Sequence, residues 1–169
     1  KQRGGVYGTA RQMASCLKIR AIERWVAPLG SNFSGDRRPQ FDPDAFVRGT
    51  GTLYSLSKEG QGSAGALVTA LTAAVVEAAE EYATGQAGGR LAVPMLVVLD
   101  EAANVCRWKN LPDLYSHYGS RGIPVMSLFQ SWAQGQVVFG REGMRKLWSA
   151  SNVKLYLGGV AEADFLREL

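Results

Sequence analysis

The sequence predicts an α/β chain, a parallel sheet with helices on both faces preceded by an α-helix. Three observations carry this. Residues 93–99 (VPMLVVL) and 123–128 (IPVMSL) are unalternating apolar runs, as expected of strands covered on both faces. From residue 52 onward, strand-like and helix-like stretches alternate in the order β-α-β-α-β-α-β-α. The 20 glycines among 169 residues fall mostly at the turns and connectors that such a sheet needs.

Over residues 9–29, Met13, Leu17, Ala21 and Trp25 recur every fourth position, with Ala14, Ile22 and Val26 beside them. Arg11, Lys18, Arg20 and Arg24 lie largely off that line, so the stretch reads as an amphipathic helix closed by Pro28 and Gly30. Residues 31–51 lack periodicity and read as an extended connector. The predicted organisation is a helical segment over 1–30, the connector over 31–51, and an α/β unit over 52–169.

Within that unit, residues 52–57 (TLYSLS) are short and β-prone. Residues 63–83 are Ala-rich, carry Glu77, Glu80 and Glu81 toward their end, and are closed by Gly85. After the 93–99 strand, residues 111–119 read as a short helix. The 123–128 strand follows, with Pro124 near its start, where a missing N–H is tolerated. A helix over 141–150, a strand over 152–157 (NVKLYL) and the opening of a helix over 161–169 complete the series.

Net charge is +4, distributed as +5 over residues 1–50, −4 over 51–105 and +3 over 106–169. That pattern is compatible with phosphate or nucleic-acid binding and equally with a solvated, modestly basic surface. Cys16 and Cys106 lack metal-site spacing and read as reduced structural residues. His117 is the single histidine, which excludes triads and zinc sites that need several. No apolar run reaches the ~20 residues that span a bilayer. The chain begins at Lys1 without Met and stops at Leu169 inside a helix-like pattern, and it reads as a piece of something longer.

Ligands of open parallel sheets sit beyond the carboxyl ends of the strands. One such end is Leu96-Val97-Val98-Leu99-Asp100-Glu101, four apolar residues that deliver two carboxylates. Nucleotide hydrolysis uses such a pair. Asp100 would hold Mg²⁺ through water, and Glu101 would orient the attacking water. The alternative is that one of them caps the next helix. The other strand end, Ser127-Leu128-Phe129-Gln130-Ser131, places the Gln130 amide within reach of the same water, or makes it a solvated strand-end residue. Arg121, between Gly119-Ser120 and Gly122, lies at the amino end of that strand. In a ring it could reach a neighbour's nucleotide as an arginine finger, or it is a surface arginine. No G-x-x-x-x-G-K-[ST] loop is present. Residues 57–65 (SKEGQGSAG) read as an ordinary strand-to-helix turn.

The strings LYSLSKEGQGSAGALVTALTAAVVEAA, VPMLVVLDEAANV and SHYGSRGIPVMSLFQSWAQ together resemble the C-terminal half of TraG/TraD-type coupling proteins. These are RecA-like ATPases of conjugative type IV secretion, more distantly related to the FtsK and HerA motors. The resemblance runs from about Val6 to Leu169. It implies a partial RecA-like P-loop core with Asp100 and Glu101 as its second acidic nucleotide motif, and Gln130 as the glutamine of its LFQS-like strand end. Arg121 matches the arginine of its G-R-G turn. Ala102-Ala103 departs from the bulkier residue usual after the acidic pair.

It further implies ATP and Mg²⁺ as cofactors, relaxase-bound single-stranded DNA, relaxosome proteins and secretion-channel proteins as partners, and a hexamer at the cytoplasmic face of the bacterial inner membrane. The phosphate loop and membrane spans of the family lie N-terminal to what this chain contains, so the isolated chain is expected to be inactive. Arg141, Arg145 and Lys146 would line a DNA path or form a solvated helix face. Two other readings compete with the motor. One is a non-catalytic docking module for relaxosome or accessory proteins. The other is an unrelated α/β enzyme with Asp100 and Glu101 as general acid and base.

Overall fold

The computed structural model describes residues 14–27, 37–57, 63–159 and 162–167. Ala14–Lys18 form a 3₁₀ turn and Arg20–Val26 the helix α1. The predicted 9–29 helix is thus divided at Ile19, and its residues 9–13 and 28–29 fall outside the described residues. Ala27 is extended, as a residue before proline must be.

The predicted connector contains a short helix, α2 (Pro43–Val47). Asp42 caps it by accepting from the Asp44 and Ala45 amides at 2.9 and 3.3 Å, and Pro43 occupies the first helical position, where its missing N–H costs nothing. Helix α3 (Gly65–Thr84) follows its Ala-rich prediction within two residues and buries Val75, Val76, Ala78, Ala79 and Ala83. Their spacing is one helical stripe.

Two strands follow, β1 (Val97–Leu99) and β2 (Val125–Ser127), joined by α4 (Leu111–Ser120). They pair in parallel, with Val97, Val98 and Leu99 opposite Val125, Met126 and Ser127. Both regular strands are shorter than predicted, and Pro124, lacking an N–H, supplies no ladder donor just before β2. The hydrogen bonds nevertheless run on: Met95 N–H donates to Gly122 O at 3.0 Å, and Leu128 N–H to Leu99 O at 3.0 Å. Helix α5 spans Trp132–Ala150, with a break at Gly140 (φ 74°), and so begins nine residues before the predicted helix. Helix α6 is Ala163–Leu166.

Three expectations are corrected. Residues 52–57 and 152–157 form neither helix nor strand among the described residues, and Leu56 and Leu157 stand 90% and 92% exposed. β-prone side chains do not make a strand without a neighbouring backbone to pair with. Among the described residues, helices do not cover both faces of the sheet. Leu99 packs into the core, while Val98 and its partner Met126 remain 54% and 45% exposed on the other face. The described residues therefore hold one β-α-β unit, α/β in the general sense, rather than a four-strand series.

The core gathers Val76, Ala79 and Ala83 of α3 with Leu99, Cys106, Trp108, Leu111, Tyr118, Ile123, Trp132, Met144 and Leu147. Both cysteines are buried. Burial pushes the Cys106 thiol up, while hydrogen bonds with Thr69 and Thr72 work in the opposite direction. His117, isolated in the sequence, meets Glu80 of α3 with Nε2 and Oε1 2.7 Å apart.

Tyr118 is fully buried, and its hydroxyl has no hydrogen-bond partner among the described residues. Burial, and then the charges of Glu80 and Glu77, push its pKa up to about 12. An unfolded tyrosine titrates near 10. Stability held below about pH 10 is therefore lost as pH rises toward about 12, with a slope up to about 1.4 kcal/mol per pH unit. Tyr118→Phe is expected to remove that alkaline slope and to leave neutral stability unchanged or about 1 kcal/mol higher. Urea unfolding at about pH 8 and about pH 11 reads both effects.

Candidate functional site at the strand ends

The parallel ladder carries the two chains past the ends of β1 and β2. Ala102 N–H donates to Leu128 O at 3.1 Å, so residues 100–101 and 128–130 emerge side by side. There the Gln130 side-chain N–H donates to Glu101 Oε1. The predicted juxtaposition of amide and carboxylate is therefore present. Asp100 is exposed and Glu101 half-buried.

Residues 100–105 form turns closed by Asn104 and Val105 N–H donating to Glu101 O at 2.8 and 3.1 Å. Neither carboxylate caps a helix, since the cap position of α4 is Asn110. Ala102 and Ala103 are 0% and 4% exposed, which explains why small residues follow the acidic pair here. Among the described residues no three His, Cys, Asp or Glu converge on a metal site. A Mg²⁺ that keeps most of its waters asks less of the protein, one or two carboxylates with substrate oxygens, and Asp100 at a strand tip fits that demand.

Glu101 adopts φ 48°, a left-handed conformation that a side chain with Cβ rarely takes. Glu101→Gly is accordingly expected to raise stability by about 1 kcal/mol while deleting the carboxylate. Glu101→Ala deletes the carboxylate and keeps the Cβ, and it is expected to give no such gain. Chemical denaturation of the two variants separates backbone relief from the loss of the Gln130 contact.

Arg121 lies at the other end of β2, at the C-terminus of α4. Its carbonyl accepts from Leu91 N–H at 2.9 Å, and Nη1 donates to Gly89 O at 3.0 Å. The side chain is half-buried and folded onto the 3₁₀ turn at Ala87–Gly89. Gly122 beside it has φ 79°, and a Cβ there would stand 3.2 Å from Leu91 O, so this turn requires glycine. Arg90 reinforces the same corner through Nη1, 3.0 Å from Gly119 O and 3.3 Å from Ser120 O. Arg141, Arg145 and Lys146 are exposed on α5, and Lys146 Nζ lies 2.5 Å from Asp113 Oδ1.

Sequence reasoning missed the group that anchors α5 just beyond Gln130. Ser131 caps the helix by accepting from Gln134 N–H at 3.2 Å. Glu162 Oε2 and Oε1 accept from Trp132 and Ala133 N–H at 2.9 and 3.2 Å. Phe165 of α6 stacks on Trp132 with ring centroids 5.2 Å apart, and Trp148 and Tyr156 complete the aromatic cluster. The string Ser131-Trp132-Ala133-Gln134 has the S-x-x-Q spacing of a capping box, the local signal for this start. No local signal marks Glu162.

No curated protein and no solved structure matches the chain at a significant level. Residues 94–169, however, match the family described as the TraM recognition site of TraD and TraG. That span contains both strands, Asp100, Glu101, Arg121 and Gln130, and over it the chain is similar to the TraM recognition site of TraD and TraG, the type that its motifs resemble.

Proposed function

We propose that this chain is the relaxosome-docking portion of a conjugative coupling protein, its partner a TraM-like relaxosome protein. The observation that carries this reading is the match of residues 94–169 to a TraM recognition family. The same span exposes Val153, Leu155 and Leu157 on a segment without helix or strand, the kind of apolar surface that partner proteins cover. The direct test is titration calorimetry of this chain against a TraM-type protein with no nucleotide added. Binding in the micromolar range is expected, and its absence would sink the docking role.

A second reading is favoured by one specific observation, the Glu101–Gln130 hydrogen bond at neighbouring parallel strand ends. On this reading the chain also supplies half of a RecA-like nucleotide site within a hexameric, DNA-translocating ATPase at the cytoplasmic face of the inner membrane, which hands relaxase-bound single-stranded DNA to a secretion channel. Asp100 would hold Mg²⁺ through water, Glu101 and Gln130 would orient the water that attacks ATP, and Arg121 would serve the adjoining subunit. Folding of Arg121 onto Gly89 means that this last role requires the guanidinium to swing outward. Arg141, Arg145 and Lys146 are the DNA-path candidates. Among the described residues no helix is long and apolar enough to cross a membrane. In the whole coupling protein, Glu101→Gln is expected to lower DNA-stimulated ATP hydrolysis by about 100-fold. Full activity would overturn the assignment. This chain alone carries no phosphate-binding loop sequence and is expected to hydrolyse no ATP.

A further inference from the structure

The first free N–H groups of a helix need acceptors, and α5 obtains them from two sources. Gln134 N–H is taken by Ser131 within the turn, whereas Trp132 and Ala133 N–H are taken by both oxygens of Glu162, about thirty residues along the chain. A carboxylate there also meets the positive end of the part of α5 that runs from Trp132 to the break at Gly140. Three residues beyond Glu162, Phe165 stacks on Trp132 itself and packs edge-on against Trp148. The segment 162–167 is thus tied to the start of α5 twice, by charge at the backbone and by ring contact.

Gln130 precedes Trp132 by two residues, with the cap Ser131 between them, and its amide donates to Glu101. We infer that Glu162 is a positioning residue, whose carboxylate fixes the first turn of α5 and thereby holds the Gln130 amide against Glu101. Any event that lifts the 162–167 segment from its seat then loosens the pair at the strand ends. The segment lies in the span read above as a docking region, so partner binding there has a physical route to Glu101 and Gln130. That consequence rests on the proposed function. The positioning geometry does not.

Amide exchange and side-chain NMR on the whole isotopically labelled chain test the inference without nucleotide or partner. In Glu162→Ala, the Trp132 and Ala133 amides are expected to exchange about tenfold faster, and the Gln130 side-chain amide signals to shift toward those of Glu101→Ala. Glu162→Gln keeps one acceptor oxygen and is expected to restore part of both effects. Phe165→Ala leaves the carboxylate in place and is expected to move the Gln130 signals in the same direction by a smaller amount. Should Glu162→Ala fail to fold, Glu162→Gln and Phe165→Ala carry the test. Unchanged Trp132 and Ala133 exchange would overturn the cap. Faster exchange with unmoved Gln130 signals would overturn the positioning role. Absence of binding between the wild-type chain and a TraM-type protein, with both NMR effects present, would instead count against the functional reading.

Discussion

Trp132→Ala is expected to lower the unfolding free energy by about 3–5 kcal/mol, the range for deleting a large buried aromatic. Trp132 is 8% exposed and belongs to the main core. Truncation removes the ring on which Phe165 stacks at 5.2 Å and the edge-to-face contact with Trp148 at 5.7 Å. The backbone N–H that Glu162 binds survives, so the variant isolates packing from capping. For a chain of this size the loss corresponds to a fall in Tm of about 2–4 °C per kcal/mol. Near-UV circular dichroism is expected to lose much of the aromatic signal of the cluster. Trp132→Phe, which keeps a ring, is expected to cost under half as much.

Leu111→Ala is expected to cost about 2–5 kcal/mol, from lost transfer energy plus the cavity left behind. Leu111 is 0% exposed and opens α4, the crossover between the two strands. Its N–H donates to Trp108 O at 3.0 Å, so its backbone is pinned and the site has little freedom to collapse. The loss therefore falls in the upper part of that range, a large share of the total stability of an ordinary domain. Urea denaturation with the slope held equal to wild type measures it. A cost below about 1 kcal/mol would show that neighbouring side chains close the void.

The parts of the fold legible in the sequence were those set by local physics. Helix α3 followed from an Ala-rich stripe, and α4 from a short amphipathic stretch, because local propensity and burial agree there. Asp42-Pro43 is an equally local helix start, yet the five residues of α2 are too few to show periodicity, and the stretch reads as connector. Residues 52–57 and 152–157 show the opposite case. Their composition is β-prone, yet a strand is a property of two backbones. The apolar β1 run suggested two covered faces, whereas one face carries Val98 and Met126 into the open.

The candidate site divides along the same line. Glu101 and Gln130 could be paired from sequence because a parallel strand–helix–strand unit places successive carboxyl ends next to each other. Arg121 could be placed at the opposite end by the same reasoning, but its fold onto Gly89 depends on a turn thirty-two residues earlier. Glu162 was invisible for a similar reason. The amides it binds lie about thirty residues away, and no periodicity connects them.

The seat of Glu162 also has a kinetic meaning. Residues 151–161 join the end of α5 to Glu162, so the carboxylate is delivered to Trp132 and Ala133 as an intramolecular ligand. A tether presents its group at an effective concentration set by its length and stiffness. Free carboxylates at micromolar levels compete poorly against such a tethered group. A macromolecule that grips the aromatic residues of the same segment acts on the tether itself, and it can displace the carboxylate without ever binding in its place.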